Sequence, residues 1–268
     1  MSKLYIRPLN TGYVGINPRQ YLYHYTILKY RKDILANKTE TPVFAFLVQG
    51  GSSLLLVDTG MSWTEHAQTH HFQRAVQPSG LAIHEQLGKL DLHPEDIDVV
   101  ILTHLHWDHS FYLDKFTKAE IYVHKKEYAF AMNPLPLYYK AYEHPILGIR
   151  RPFEGIRLRT LFGEAKIMPG VSVLETPGHS PGHMSIIIET ETGEFICAGD
   201  SLLGPGNLAS IPELHFDISP PGIFCNILEA WNSIELQKTR LADASFALCC
   251  HDQTLEERIK ISPVLGRR

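Results

Sequence analysis

Histidine and aspartate side chains cluster in the middle of the chain at spacings that suit a metal site. His104, His106, Asp108 and His109 fall within six residues, directly after the apolar run Val99–Leu102. Strand ends are where α/β folds place their ligand-binding groups, and a strand that turns into a loop can aim such side chains at one point. Imidazole nitrogens and carboxylate oxygens are donors that zinc, manganese and iron(II) accept. The spacing therefore predicts a metal site, with a chance run of polar residues in a surface loop as the alternative.

Three later residues also carry metal-compatible side chains and stand after or at the end of an apolar run. His179 lies between two Pro-Gly pairs, which form rigid turns, while Asp200 and His251 each end a run. Gly199 has no Cβ and leaves room for close approach of the backbone before Asp200. Taken singly, Asp200 and His251 would more often be structural residues. Together with the first cluster, the three positions indicate one site built from several strand ends.

Strands and helices alternate over the whole length, which predicts the α/β class. Helices are predicted over Gly80–Leu90, just after His124, and over Cys225–Leu241, where apolar residues keep three- and four-residue spacing on one face. Short apolar runs bounded by Gly, Pro or Asp indicate buried strands. These runs are Val43–Val48, Ser53–Val57, Val99–Leu102, Ile121–Val123, Val171–Leu174, Ser185–Ile188, Phe195–Ala198 and Phe246–Leu248.

The composition predicts one soluble domain over residues 1–268. The chain is 44% hydrophobic and 20% charged, with a net charge of −4, and it lacks the concentrated basic run that binds a nucleic-acid backbone. No apolar stretch approaches the roughly 20 residues that span a bilayer, so we expect neither a nucleic-acid nor a membrane partner. The N-terminal sequence lacks a secretory signal, and the four cysteines show neither disulfide nor zinc spacing. We therefore expect a cytoplasmic protein, either a monomer or a homodimer.

Two segments rich in proline and aromatic residues, at about 13–41 and 132–162, are interpreted as insertions that flank the site. Long loops in a compact domain need a reason to be ordered, and lids or pocket walls are a common one. The alternatives are peripheral helices that bury aromatic rings, an extended strand for the tyrosines of the first segment, or a dimer interface. The candidate pocket tyrosines of the two segments are Tyr21, Tyr23, Tyr25, Tyr138 and Tyr139.

The combined pattern resembles the metallo-β-lactamase superfamily over about residues 43 to 251. The resemblance rests on the motif His104-x-His106-x-Asp108-His109, followed by His179, Asp200 and His251. The segment Val57-Asp58-Thr59-Gly60 is similar to an early strand-end motif of the family, whose aspartate supports the metal ligands from behind. This resemblance implies a four-layer αββα sandwich, with the metals at the edge between its two sheets.

The resemblance also implies two divalent metal ions, with zinc expected and manganese or iron as alternatives. One ion would be held by His104, His106 and His179, the other by Asp108, His109 and His251, with Asp200 bridging both. A hydroxide shared by two such ions can attack a carbonyl carbon, while Asp108 moves a proton to the leaving group. Asp108 and Asp200 are thus the expected catalytic carboxylates, and no serine or cysteine nucleophile is required.

Within the superfamily, the sequence context resembles the N-acyl-homoserine-lactone lactonases. The likeness lies in residues 176–183, the acidic turn at 189–194 and the strand that leads into Asp200. It implies a quorum-quenching hydrolase that opens the lactone ring of a small molecule with an apolar part. Common β-lactamases carry a cysteine in place of Asp200, so that role is disfavoured. Glyoxalase II-type thioesterases and arylsulfatases or phosphodiesterases remain alternatives; a diiron redox protein, which usually carries glutamate in place of His106, fits less well.

The sequence departs from the lactonase pattern at Leu203. In the lactonases a tyrosine usually stands three residues after the bridging aspartate and hydrogen-bonds the lactone carbonyl. Loss of such a donor typically costs on the order of a hundredfold in rate. Either one of the five candidate tyrosines of the insertions supplies this hydrogen bond, or the substrate is a different ester or lactone.

The remaining histidines are expected to be structural or exposed. His183, four residues after His179, is expected to be structural, and His215 is expected to cap a turn. His124 closes a predicted strand and is a weaker candidate to support the metal ligands. Five others are expected at the surface: His66, His70, His71, His84 and His93.

Overall fold

A computed structural model describes residues 4–17, 21–31 and 40–267, which form two β-sheets and flanking helices. The first sheet has the strand order β1-β2-β3-β4-β5-β6, with β1 (Tyr5–Gly15), β2 (Glu40–Gln49), β3 (Leu55–Val57), β4 (Val99–Ile101), β5 (Glu120–His124) and β6 (Leu158–Leu161). The second has the order β11-β10-β9-β8-β7, with β7 (Ala165–Met168), β8 (Val171–Glu175), β9 (Met184–Glu189), β10 (Glu194–Gly199) and β11 (Ala247–Cys249). The α-helices are α1 (Thr64–His70), α2 (Ile83–Gly88), α3 (Lys125–Met132), α4 (Ile227–Arg240) and α5 (Gln253–Ile261).

Strand β2 has an apolar run because both of its faces are covered. Phe44, Phe46 and Val48 belong to the core between the two sheets. Ala45 and Leu47 point the other way and belong to a second core. Since side chains alternate between the two faces of a strand, a strand that is covered on both sides is apolar at successive positions.

Helices cover the outer faces of both sheets. Ile83 and Leu87 of α2 and Ala131 of α3 pack in the core on the outer face of the first sheet. Ile234 of α4 packs against buried residues of β10 and β11 on the outer face of the second sheet. The layers therefore run helix, sheet, sheet, helix, and the predicted α/β class with a four-layer αββα sandwich is confirmed.

Strand direction brings several loops to the same edge of the sandwich. Strands β3, β4, β5 and β6 run parallel, so the loops after β3 and β4 leave from one end of the first sheet. In the second sheet β10 and β11 are parallel, and two successive antiparallel pairings give β8 the same direction as β10. The loops that follow these strands carry the predicted metal ligands.

The predicted strands and helices are present, with ends that differ by a few residues, and several further elements were not predicted. Strand β1 was missed because its apolar positions are interrupted by polar residues and Pro8, and a register shift between Asn10 and Tyr13 breaks the alternation. Strands β6 and β7 are short and carry Arg159 and Lys166. Helix α1 has a single apolar residue, Ala67, and α5 is only nine residues long, with its apolar face limited to Leu255 and Ile259.

The extended strand considered for Tyr21, Tyr23 and Tyr25 is wrong. Tyr21 is helical, Tyr23 lies in a bend, and Tyr25–Ile27 forms a short 3-10 helix. Parts of the first insertion, residues 18–20 and 32–39, lie outside the described residues. In the described part of the chain, no helix is both long enough and apolar enough to cross a lipid bilayer.

Candidate metal centre

The loops at this edge bring most of the predicted ligands into two adjacent groups. One group contains His104, His106 and His179. The other contains His109, Asp200 and His251, together with Cys250. Within each group, one ligand atom of every residue lies within 4.8 Å of those of the others, and all seven residues are buried.

The carboxylate of Asp200 lies between the two groups. Its Oδ2 is 3.5 Å from His179 Nε2 in the first group, whereas its Oδ1 is 3.2 Å from His109 Nε2 and 3.4 Å from His251 Nε2 in the second. Two ligands that each lie 2.0–2.2 Å from one tetrahedral ion are separated by about 3.3–3.6 Å. The separations therefore suit a carboxylate shared by two ions.

Asp108 stands beside the second group. Its Oδ2 is 3.6 Å from His251 Nε2, and its side chain is 12% exposed, more than those of the other predicted ligands in these contacts. The residue also lines a pocket of about 470 Å³. Asp108 can thus face both an ion and a substrate.

Buried polar atoms that lack hydrogen-bond partners test whether this site fits metal ions. Five such atoms belong to predicted ligands: His104 Nε2, His106 Nε2, His109 Nε2, His179 Nδ1 and Asp200 Oδ1. Leaving one buried polar group without a partner costs about 1–3 kcal/mol. Four orphaned imidazole nitrogens and one orphaned carboxylate oxygen are the kind of donor set that divalent cations would satisfy, so the residues fit the ions that the family resemblance implies.

Electrostatics keep these side chains in forms that can bind metal. Burial opposes ionisation of Asp200, but the imidazoles of His251, His109 and His179 outweigh it and hold the pKa of Asp200 well below its usual range. Burial and the neighbouring imidazoles lower the pKa values of His104 and His106. Asp200 is therefore ionised at neutral pH, and these two histidines are neutral, as metal ligands must be.

The pKa values of the histidines in the second group shift in the opposite direction. Burial disfavours the charged imidazole of His251, but the carboxylate of Asp200 and the Cys250 side chain outweigh burial and raise the pKa of His251 to about 10. The pKa of His109 is likewise raised, against burial, by Cys250, Asp200 and Asp58. A metal ion at this group must displace protons from these rings.

Asp58 fixes the orientation of His109. Its Oδ2 lies 2.8 Å from His109 Nδ1, and the same carboxylate accepts hydrogen bonds from the backbone N–H and the hydroxyl of Thr103, at 2.7 and 2.8 Å. Because the Nδ1–H donates to Asp58, Nε2 faces Asp200. His251 is held in the same way, since its Nδ1 lies 2.9 Å from the carbonyl oxygen of Pro42. Such partners behind the ligands set their tautomers and orientation.

Glu127 on α3 ties two of the metal-site loops together, a role that the sequence did not reveal. Its buried carboxylate accepts the backbone N–H of Leu105 at 3.0 Å and the Tyr142 hydroxyl at 2.8 Å. It also accepts the Ser180 hydroxyl at 2.6 Å and the N–H of Gly182 at 3.2 Å. Nothing in the sequence distinguishes Glu127 from an ordinary helix-surface glutamate, because all four partners lie far from it along the chain.

His183 is buried behind the site and lies outside both ligand groups. Its Nε2 accepts the backbone N–H of Asp200 at 3.1 Å, and its Nδ1 lies 2.9 Å from the hydroxyl of Thr176. The preceding Gly199 has a φ of +51° and packs so closely that a Cβ there would lie 2.6 Å from His183 Nε2. His183 and Gly199 together fix the position of the turn that carries the carboxylate of Asp200.

Cys250 shows no zinc spacing in the sequence, yet the structure places it next to the second group. Its thiol donates to the carbonyl oxygen of Phe44 at 3.3 Å, and its own carbonyl accepts the N–H of Phe44 at 3.0 Å. The contacts anchor the loop that carries His251 to strand β2. The sequence signal was adjacency to His251, which alone does not distinguish an anchor from a core residue.

The expectation that His66 and His71 lie at the surface is wrong. Both Nε2 atoms contact one oxygen of the buried Glu143, at 2.5 Å from His66 and 2.7 Å from His71, and the His71 ring stacks on Trp107 at 3.9 Å. These distances fit hydrogen bonds and are shorter than the roughly 3.3–3.6 Å expected between ligands of a tetrahedral ion. Glu143 belongs to the second insertion, which buries the end of α1.

The other histidines have local roles. His124 caps α3 and lies 2.6 Å from Glu175, so it does not support the predicted ligands. His215 lies in a turn with a φ of 55°. His93 is exposed as predicted, whereas His70 and His84 are half-buried.

A cleft of about 470 Å³ opens onto the site, and only some of the candidate pocket residues line it. Tyr21, Tyr138 and Leu203 line it, together with His106, Asp108, His179, Asp200 and His251. The other three tyrosines do not: Tyr23 is buried against Arg31, Tyr25 is 76% exposed, and Tyr139 stacks on His144. Most of the remaining wall is apolar, from residues such as Ile16, Phe72, Leu137 and Phe224.

Comparison with known proteins identifies a family. The model of the Metallo-beta-lactamase superfamily matches residues 39–244 of the chain. That range holds six of the seven predicted ligands, and only His251 lies beyond it.

Several similar proteins are N-acyl homoserine lactonases. The enzyme of that name from Bacillus cereus is 29% identical over 168 residues, which cover 60% of this chain and 63% of the relative. The chain thus spans less than two thirds of the length of this relative. N-acyl homoserine lactonase AiiB from Rhizobium rhizogenes is 26% identical over 209 residues, which cover 71% of this chain and 73% of the relative.

Solved structures agree over nearly the whole chain. An AiiA mutant of B. thuringiensis with N-decanoyl-L-homoserine bound at its active site superposes with a TM-score of 0.73 and 23% identity, over 96% of this chain and 97% of that chain. AidC, a dizinc quorum-quenching lactonase, superposes with a TM-score of 0.68 and 20% identity, over 94% and 89%. At these identities the likeness establishes the fold.

Proposed function

This chain belongs to the metallo-beta-lactamase superfamily, and we propose that it is a metal-dependent hydrolase that opens the ring of an N-acyl homoserine lactone or a related lactone. The observation that carries the proposal is the position of Asp200, whose two carboxylate oxygens face two separate groups of metal-compatible side chains. The lactonase names of the sequence relatives support the choice of substrate.

Seven residues would hold two divalent ions. His104, His106 and His179 would bind one ion, Asp108, His109 and His251 the other, and Asp200 both. When bound, two such ions supply an activated water nucleophile and polarise the carbonyl that it attacks. Zinc is the expected metal, and the dizinc centre of the structural neighbour AidC supports it.

Asp108 and Asp200 would have different roles in the reaction. Asp200 stays ionised in its ring of imidazoles and would hold the two groups of ligands together. Asp108 lines the pocket, and its Oδ2 lies 3.6 Å from His251 Nε2. A carboxylate within hydrogen-bond reach of the leaving oxygen can return a proton to it as the ring C–O bond breaks.

The apolar wall of the cleft would hold the acyl chain of the substrate. Burying apolar surface contributes roughly 25 cal/mol per Å², so the cleft favours a small molecule with an apolar part. The decanoyl chain of the molecule bound to the B. thuringiensis neighbour supports this class of ligand. A protein that hydrolyses N-acyl homoserine lactones would act in quorum quenching. Its four free thiols support a location in the reducing cytoplasm.

The test is a hydrolysis panel on protein with two zinc equivalents. An N-acyl homoserine lactone, an aromatic lactone, a thioester and a phosphodiester are compared by acid release under identical conditions. We expect the highest kcat/KM for the homoserine lactone and no hydrolysis after the metal is removed by a chelator. Preference for the thioester or phosphodiester would reject the lactone, and metal-independent hydrolysis would reject the dinuclear mechanism.

A further inference from the structure

Two phenols line the cleft, and only one of them is already engaged. The hydroxyl of Tyr138 interacts with the Cys225 thiol, and burial together with this contact raises the pKa of Tyr138 to about 12. The hydroxyl of Tyr21 makes no hydrogen bond within the described residues, although the side chain is half-buried at the wall of the cleft. Tyr21 is therefore the phenol that is free to bind a ligand.

The position of Tyr21 is fixed by its surroundings. Its ring packs edge-on against Phe72, with the centroids 5.9 Å apart, and its carbonyl oxygen accepts the N–H of Gly222 at 3.0 Å. The ring also packs against the apolar cluster that contains Leu203 and Trp107. Tyr21 and Leu203 thus both line the cleft and share one apolar cluster, which forms this part of the wall. Leu203, three residues after Asp200, offers no donor there.

Other polar side chains of the cleft have partners of their own. His71 is held by Glu143 at 2.7 Å, and Lys140 donates to the carbonyl oxygen of His71 at 2.5 Å. The predicted metal ligands would be committed to the two ions. A substrate carbonyl in this cleft therefore meets one uncommitted hydroxyl among the described side chains that line it, that of Tyr21.

Hydrolysis of a carboxylic ester creates a need for such a donor. The water oxygen forms a bond to the carbonyl carbon, and the C=O electron pair moves onto the carbonyl oxygen. That pair re-forms the C=O bond as the C–O bond to the leaving oxygen breaks, and the proton given up by the water passes through Asp108 to the leaving oxygen. A preorganised donor aimed at the developing oxyanion in an apolar site is worth about 100- to 1000-fold in rate.

We propose that Tyr21 is a catalytic residue that donates a hydrogen bond to the substrate carbonyl oxygen as negative charge develops on it. The proposal rests on the hydrolase function above and assigns the donor to a residue of the first insertion. Burial raises the pKa of Tyr21, so the phenol keeps its proton at neutral pH.

Tyr21→Phe removes only the hydroxyl and is compared with Tyr25→Phe, which changes a phenol of the same insertion that is 76% exposed and does not line the cleft. The substrate is whichever member of the panel the unmutated protein hydrolyses fastest, so absence of lactonase activity and absence of a Tyr21 effect are separate results. We expect Tyr21→Phe to lower kcat about 100-fold, with two zinc equivalents retained. Tyr25→Phe should stay within about threefold, because its hydroxyl does not face the cleft.

Two further readouts separate a donor from a structural residue. In the double variant Tyr21→Phe with Leu203→Tyr, a phenol on the same wall should recover at least about tenfold of the lost kcat. Calorimetry should give about tenfold weaker binding of the carboxylate product of that substrate to Tyr21→Phe, because one hydrogen bond to a charged group is lost. Unchanged kcat in Tyr21→Phe, or a loss of kcat that parallels a loss of zinc, would overturn the proposal.

Discussion

The backbone N–H of Asp200 donates to Nε2 of His183 over 3.1 Å, so a histidine outside both ligand groups determines where the central carboxylate lies. The other ring nitrogen is occupied by the Thr176 hydroxyl at 2.9 Å. We expect His183→Ala to weaken zinc binding about 10- to 100-fold, as loss of a partner behind a metal ligand does. Competition with a chelating dye measures the affinity. The exposed His93→Ala is the matched control, and equal zinc affinity in both variants would remove His183 from the site.

Asp200→Asn tests the bridge itself. The amide keeps the shape of the side chain but removes the charge that two cations share. We expect zinc content to fall from two equivalents to one or less, and hydrolysis to fall at least about 100-fold with it. Elemental analysis and the substrate panel provide the two measurements, with the exposed Asp114→Asn as control. A fully metallated and fully active Asp200→Asn protein would refute the dinuclear site.

Leu137 tests the role of the second insertion. Its side chain is 82% exposed and lines the cleft, so Leu137→Ser removes apolar wall with little effect on the core. One buried methylene is worth about 0.8 kcal/mol, or roughly fourfold in binding. We expect KM to rise several-fold for long-chain substrates and to stay constant for short ones. The remote Ile261→Ser, 90% exposed, is the control, and an effect independent of chain length would assign Leu137 no part in substrate binding.

A larger deletion of residues 133–142 would be a poorer test, because it would also remove Tyr142. That side chain is fully buried, packs its ring 4.7 Å from the His106 ring and donates to Glu127. Loss of substrate preference and damage to the metal site would then be confounded.

The Glu143 cluster predicts a pH-dependent stability. Burial raises the pKa of Glu143, but hydrogen bonds from His66 and His71 outweigh it and hold the pKa below the ordinary value of 4.5. A carboxyl whose pKa is lower in the folded state stabilises the fold above its unfolded pKa, and that contribution is lost as the pH falls through the folded value. We expect Glu143→Gln to cost about 1–3 kcal/mol at pH 7.

The difference in unfolding free energy between Glu143→Gln and the unmutated protein should shrink as the pH is lowered from 7 towards 3. Urea denaturation at several pH values measures it, and the exposed Glu95→Gln is the control. A difference that stays constant with pH would mean that the hydrogen bonds do not depend on the carboxylate charge.

The strand ends and the clustered ligands could be predicted from sequence because each follows a short apolar run, a local signal. The supporting residues could not. Glu127 and His71 look like surface residues of polar helices, and only the loops packed over them make them buried. The pocket tyrosines show the same limit, since Tyr21 and Tyr23 are two residues apart yet only Tyr21 lines the cleft. Which phenol faces the site depends on a turn whose geometry the aromatic pattern does not specify.

The loop that carries His251 is anchored on β2, and this contact determines when the metal centre can form during synthesis. Cys250 and His251 contact Phe44 and Pro42, residues more than 200 positions earlier in the chain. A ribosome adding about 5–20 residues per second would expose His104, His106 and His109 seconds before His251 is synthesised. During that interval a growing chain offers metal an incomplete set of ligands. The complete centre can assemble only when one of the last strands joins the sheet, so metal loading is expected to follow synthesis of β11.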